Sequence, residues 1–112
     1  MFRIAEHRVD DGGHAFIVRI DHDHAGFAGH FPGHPVLPAI GQLALIDRLL
    51  AHCDRGHRGI VVVDQVRFQE PVEPDDTLSV AIRLDGDAVR FTIHREGRSV
   101  ARGSLARLRE DG

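Results

Sequence analysis

Residues 29–38 read Gly29-His30-Phe31-Pro32-Gly33-His34-Pro35-Val36-Leu37-Pro38 and run directly into the apolar stretch Ala39–Ala51. Prolines stiffen the first part, and Pro38 stands where a helical pattern begins, a position at which its fixed φ and missing N–H cost least. Across Ala39–His52 the apolar positions cover nearly the whole circumference, from Ile40 and Leu43 through Ala44 and Leu45 to Leu49 and Ala51. That pattern predicts a helix buried on most sides. The segment reads as a loop that carries a histidine to the mouth of a central helix.

On either side of it the chain reads as strands. Phe2–Val9 and His14–Ile20 are β-like runs separated by Asp10-Asp11-Gly12-Gly13, a cluster of the kind that closes a hairpin. Asp21–Pro38 holds three Pro, three Gly and four His with no sustained period, so it is expected to be a long functional loop. After the helix, Gly59–Phe68 is β-branched, Glu70–Asp76 breaks it, and Thr77–Leu84, Ala88–His94 and Ser99–Leu108 follow as further strands. Two strands, one buried helix and four strands predict an α+β fold in which an antiparallel sheet wraps a central helix.

Composition sets the outer limits. The 112 residues are expected to form a single domain, 1–112, with 42% hydrophobic and 28% charged residues. No apolar run approaches the roughly 20 residues of a membrane span, and Met1–His7 shows no secretion signal, so a cytoplasmic location is expected. Net charge is −3 with no polybasic run, which argues against a nucleic-acid partner. All fourteen basic residues are arginine. Cys53 is the only cysteine, which rules out an intrachain disulfide and leaves a cysteine-based metal site without a second thiolate.

The loop and helix resemble the active-site signature of the β-hydroxyacyl-acyl-carrier-protein dehydratases, where H-F-P-G-x-P-V-x-P-G leads into the central helix of a hotdog fold. A second match follows in order: Val63–Asp76 resembles that family's segment I-D-x-x-x-F-x-x-P-V-x-P-G-D. The short hairpins, the short C-terminal end and the Gln42-Leu43 pair look closer to the small dehydratase-like proteins of aryl-polyene pathways. The resemblance implies a hotdog fold, places His30 on the catalytic histidine, and implies an acidic partner fourteen residues further on. Counting from His30 lands on Ala44, so that acid is absent.

Dehydration of a 3-hydroxyacyl thioester needs a base for the C2 proton, a donor for the thioester oxygen and an acid for the departing hydroxyl. An imidazole titrates near neutral pH and suits the first task, which the resemblance assigns to His30. Unpaired N–H groups at a helix start suit the second, making the Ala39 N–H the candidate oxyanion donor. For the third, Asp47 lies one turn beyond Ala44 on nearly the same face. The alternative for Asp47 is an ion pair with an arginine, or solvent. Gln42 is a candidate hydrogen-bonding group for the substrate hydroxyl, and Phe31 a candidate substrate-tunnel wall.

His22, His24, His30 and His34 invite a metal reading, but no acidic residue accompanies them in a recognised motif, and neither metal nor cofactor is expected. Arg48, Arg55 and Arg58 surround the helix C-terminus, where they compensate its dipole or receive a carrier protein. The resemblance implies an acyl-carrier-protein or coenzyme A thioester substrate and a dimer in which histidine and acid come from different subunits. Three readings stand beside a dehydratase acting alone. The chain is a catalytically impaired subunit in a heterodimer with a paralogue that keeps its acid, a hotdog thioesterase, or a non-catalytic acyl-binding protein.

Overall fold

Turn residues set the strand order. Gly12 (φ 75°) closes the first reversal, Gly86 (φ 61°) the third-to-last strand's end, and Glu96 with Gly97 (φ 52° and 78°) makes a two-residue turn with both central residues left-handed, matched to strand twist. The computed structural model describes residues 2–21 and 37–110. In chain order it contains β1 (Phe2–Asp10), β2 (Gly13–Ile20), α1 (Ala39–Cys53), β3 (His57–Phe68), β4 (Thr77–Asp85), β5 (Ala88–Arg95) and β6 (Arg98–Arg109). The strands form one six-stranded sheet in the order β1-β2-β4-β5-β6-β3, every neighbouring pair antiparallel. The expected element order is therefore found, with every element's ends displaced by at most two residues.

Alternation builds the core. In β4, Leu78, Val80 and Ile82 are buried while Ser79, Ala81 and Arg83 face out, and β2 and β5 repeat the pattern with Phe16, Val18 and Ile20 and with Val89, Phe91 and Ile93. These inward side chains pack with Leu45, Ile46, Leu49 and Leu50 of α1. Each buried aliphatic or aromatic side chain contributes roughly 1.5–3 kcal/mol of transfer free energy.

The helix departs from expectation on its other side. Ile40 is 75% exposed, and Ala39, Ala44, Arg48 and Ala51 are exposed with it. The described residues put a single sheet against a single helix, so one face of α1 is covered and the second apolar face is left for another surface. Among the described residues no helix is long and apolar enough to cross a membrane.

A short strap fixes where the helix begins. Leu37 N–H donates to the Val72 carbonyl at 2.7 Å, just before α1. Val72 lies in the segment 70–76, which Arg95 holds through the Pro71 carbonyl (2.8 Å), Glu70 (2.9 Å) and Asp76. The same segment grips the end of β2: Asp75 N–H donates to the Ile20 carbonyl (2.8 Å), and Ile20 N–H donates to the Asp76 carbonyl (2.9 Å). Gly41 completes the fit, since a Cβ there would fall 2.5 Å from Leu37 Cδ1.

Candidate active site

Pro38 caps α1 in extended conformation (φ −71°, ψ 172°) with no side-chain hydrogen bond, and the first intrahelical bond is Gln42 N–H to the Pro38 carbonyl at 3.0 Å. The N–H groups of Ala39, Ile40 and Gly41 precede that bond and carry the positive end of the helix dipole. Ala39 is exposed and is the first residue of α1. His30 and Phe31, the candidate base and tunnel wall, lie outside the described residues, as do His22, His24 and His34.

Gln42 turns inward from that mouth. Its side chain is buried, 3% exposed, and its Nε2 donates to the Leu37 carbonyl at 3.3 Å. Its Oε1 is buried without a hydrogen-bond partner among the described residues. An orphaned buried amide oxygen costs on the order of 1–3 kcal/mol.

One turn along, Ala44 presents only a methyl on the exposed face. Asp47, the candidate substitute acid, reaches solvent but pairs with a histidine in place of an arginine: its Oδ1 meets His57 Nε2 at 2.7 Å. The His57 side chain is 4% exposed and that of Asp47 45%. The pair staples the middle of α1 to the start of β3. Nothing in the sequence pattern marked His57, because the nine intervening residues turn a corner whose geometry no periodicity reports.

The helix C-terminus is organised by a second pair. Arg107, buried on β6, donates to Asp54 Oδ2 at 2.8 Å and to the Gly86 carbonyl at 3.2 Å. The Gly56 backbone N–H and Arg107 together hold the Asp54 carboxyl below the usual carboxylate range. Beside them, burial pushes the Cys53 thiol up to about 12. Such a thiol is an inert packing group. Of the helix-end cations, Arg58 pairs with Glu110 at 2.7 Å and Arg48 lies 5.8 Å over the Phe2 ring. Among the described residues no three His, Cys, Asp or Glu converge as metal ligands.

Residues 6–104 match the family described as ApeI-like, ApeI dehydratase. The chain belongs to the ApeI-like family. Its architecture is the hotdog fold: the ApeI:P dehydratase heterocomplex from Xenorhabdus doucetiae superposes with a TM-score of 0.85, at 20% identity over 96% of this chain and 97% of that one. The E. coli PaaI protein of the phenylacetic acid degradation operon gives 0.60 at 19% identity, covering 96% and 79%. In sequence, this ApeI-like chain is 33% identical over 87 residues to the 3-hydroxyacyl-[acyl-carrier-protein] dehydratase FabZ of Thermomicrobium roseum, covering 71% of this chain and 58% of the relative. The FabZ of Roseiflexus castenholzii is 38% identical over 66 residues, covering 53% and 46%. The chain spans about half the length of the curated relatives it matches.

Proposed function

We propose that this ApeI-like chain is a single-domain, dehydratase-type hotdog subunit that binds a 3-hydroxyacyl thioester on an acyl carrier protein or coenzyme A and supplies only part of the catalytic set. His30 is the base, the Ala39 N–H receives the thioester oxygen, Phe31 walls the acyl tunnel, and Gln42 offers its buried Oε1 to the substrate hydroxyl. No metal or cofactor enters the scheme.

The observation that carries this reading is the engagement of Asp47 by His57 beside the bare methyl of Ala44. Losing a general acid typically slows such a reaction by about 10²- to 10⁴-fold. Among the described residues the exposed face of α1 therefore has its apolar surface and its N–H donors, but no free carboxylate near Ala44. A partner subunit that retains the acid completes the set with His30. Two features support such an assembly: the exposed face of α1, and the edge strand β3, where Val61, Val62 and Val63 are all exposed. The ApeI:P structure is itself a dehydratase heterocomplex, which favours the same arrangement here.

The test is loss of water from a short-chain 3-hydroxyacyl carrier protein, followed by intact mass, with the wild type, His30→Ala and Ala44→Glu. Glutamate is a good helix former and position 44 is exposed, so the variant keeps its fold. Weak turnover in wild type, a rise of about 10²-fold or more in Ala44→Glu, and loss in His30→Ala are expected. Full turnover by the wild-type homodimer overturns the incomplete-site reading. Release of free carrier instead of dehydration moves the chain to the thioesterases, and no effect of His30→Ala on either reaction moves it to acyl binding.

A further inference from the structure

Eight of the ten arginines elsewhere on this molecule are neutralised, Arg48 and Arg55 beside the helix C-terminus being the two without an ion pair among the described residues. Arg3, Arg8, Arg19, Arg58, Arg95, Arg98, Arg107 and Arg109 each lie within 4 Å of a carboxylate. Four on the outer face of the sheet are not. Arg83 of β4 stands directly opposite Arg90 of β5, and Arg102 of β6 stands directly opposite Arg67 of β3. Arg90 pairs with Ser104, two residues from Arg102, so the two arginine pairs are diagonal neighbours and make one stripe across four strands. All four are exposed, and none has a hydrogen bond or ion pair among the described residues.

The stripe crosses an open groove of about 700 Å³ lined by Arg67, Arg90 and Arg102 together with Thr92 and Ser104. Asp64, the sole carboxylate lining it among the described residues, accepts from Ser104 Oγ at 3.4 Å. Like charges directly opposite on neighbouring strands destabilise a sheet. A chain with net charge −3 has more acids than bases, yet here it holds two such pairs side by side without an ion pair to either among the described residues.

Direct neighbours sit about 5 Å apart and diagonal ones about 7–8 Å, so the stripe extends roughly 17 Å. A single phosphate meets two guanidinium groups at most over that length. An α-helix rises 1.5 Å per residue with a 5.4 Å pitch, so about eleven residues span the stripe and present about four carboxylates, one per turn, to its four arginines. Arginine's planar fork receives carboxylates in pairs of hydrogen bonds. We infer that the outer face of the sheet is a docking surface for an acidic helix of a protein partner, laid along Arg83, Arg90, Arg102 and Arg67.

The test uses a fluorescein-labelled, hydrocarbon-stapled 15-residue helix with glutamates along one face, beside an isomer of identical composition whose glutamates are spread around the helix. Binding is read by anisotropy in 25 mM and 300 mM NaCl. Arg90→Ala/Arg102→Ala is expected to weaken binding at least tenfold at low salt, with a melting temperature equal to or above wild type because the opposed charges are relieved. Arg58→Ala, which removes a paired arginine, is expected to change affinity less than twofold. Equal affinity of the double variant and wild type overturns the proposal. So does equal binding of the isomer, or displacement of the helix by stoichiometric pyrophosphate, which would make the stripe a small-anion site. None of these readouts depends on turnover.

Discussion

Asp47 Oδ1 and His57 Nε2 lie 2.7 Å apart, joining the middle of the helix to the first residue of β3. The imidazole is buried and its other nitrogen has no partner among the described residues, so this bond is the ring's one polar anchor there. Asp47→Ala is expected to lower stability by about 1 kcal/mol, a figure kept small because the carboxylate is half exposed. Turnover of the Ala44→Glu background should stay within about threefold when Asp47 is removed. Urea unfolding and the dehydration assay separate the two effects, and a hundredfold loss of activity would restore Asp47 to the chemistry.

Cys53 is expected to resist alkylation in the folded protein. With its thiol at about 12, the thiolate fraction at pH 8 is roughly 10⁻⁴, whereas an ordinary cysteine is about a quarter ionised. Reaction with Ellman's reagent should be slower by about three orders of magnitude in buffer than in 6 M urea. Equal rates would show that the helix end opens freely.

Gly103 on β6 permits the close approach of β3. A Cβ there would stand 2.7 Å from Val66 Cγ2 and 2.8 Å from Val66 Cα, and would strike the Gln65 carbonyl oxygen. Backbone atoms cannot swing aside, so Gly103→Ala should cost about 1–3 kcal/mol by overpacking. A shift of the urea midpoint with unchanged slope is the expected signature.

Acid should loosen the helix C-terminus through Asp54. Its carboxyl titrates lower in the folded state than in the unfolded chain, because the Gly56 N–H and Arg107 favour the charged form. The stabilisation is present above the unfolded value of about 3.9 and disappears as pH falls through the lower folded value. Melting temperatures between pH 5 and pH 2 should fall less steeply for Asp54→Asn than for wild type. Parallel curves would remove this pair from the acid response.

Much of this molecule is legible in its amino-acid sequence. Pro38 and the apolar period gave the helix, the Gly-rich reversals gave the hairpins, and the ordered pair of motifs around His30 and Val72 led to the family. What escaped were relations set by register. The helix was expected to be buried on most sides, because periodicity reports that a residue is apolar but not which surface covers it. Ile40 and Ala44 await a surface beyond the described residues. Asp47 and His57 meet across a corner. Arg67, Arg83, Arg90 and Arg102 lie on four different strands, and only the pairing of those strands turns isolated charges into a stripe. His30 was the plainest signal of all, and it falls outside the described residues.

Ile20 and Leu37 are both tied to residues 70–76, the first through Asp75 and Asp76, the second through Val72. The end of β2 and the start of α1 thus share one anchor, which Arg95 holds from β5. A single side chain on a third strand therefore governs the distance between two elements it does not itself touch, so that the sheet and the helix keep their relative placement as one unit.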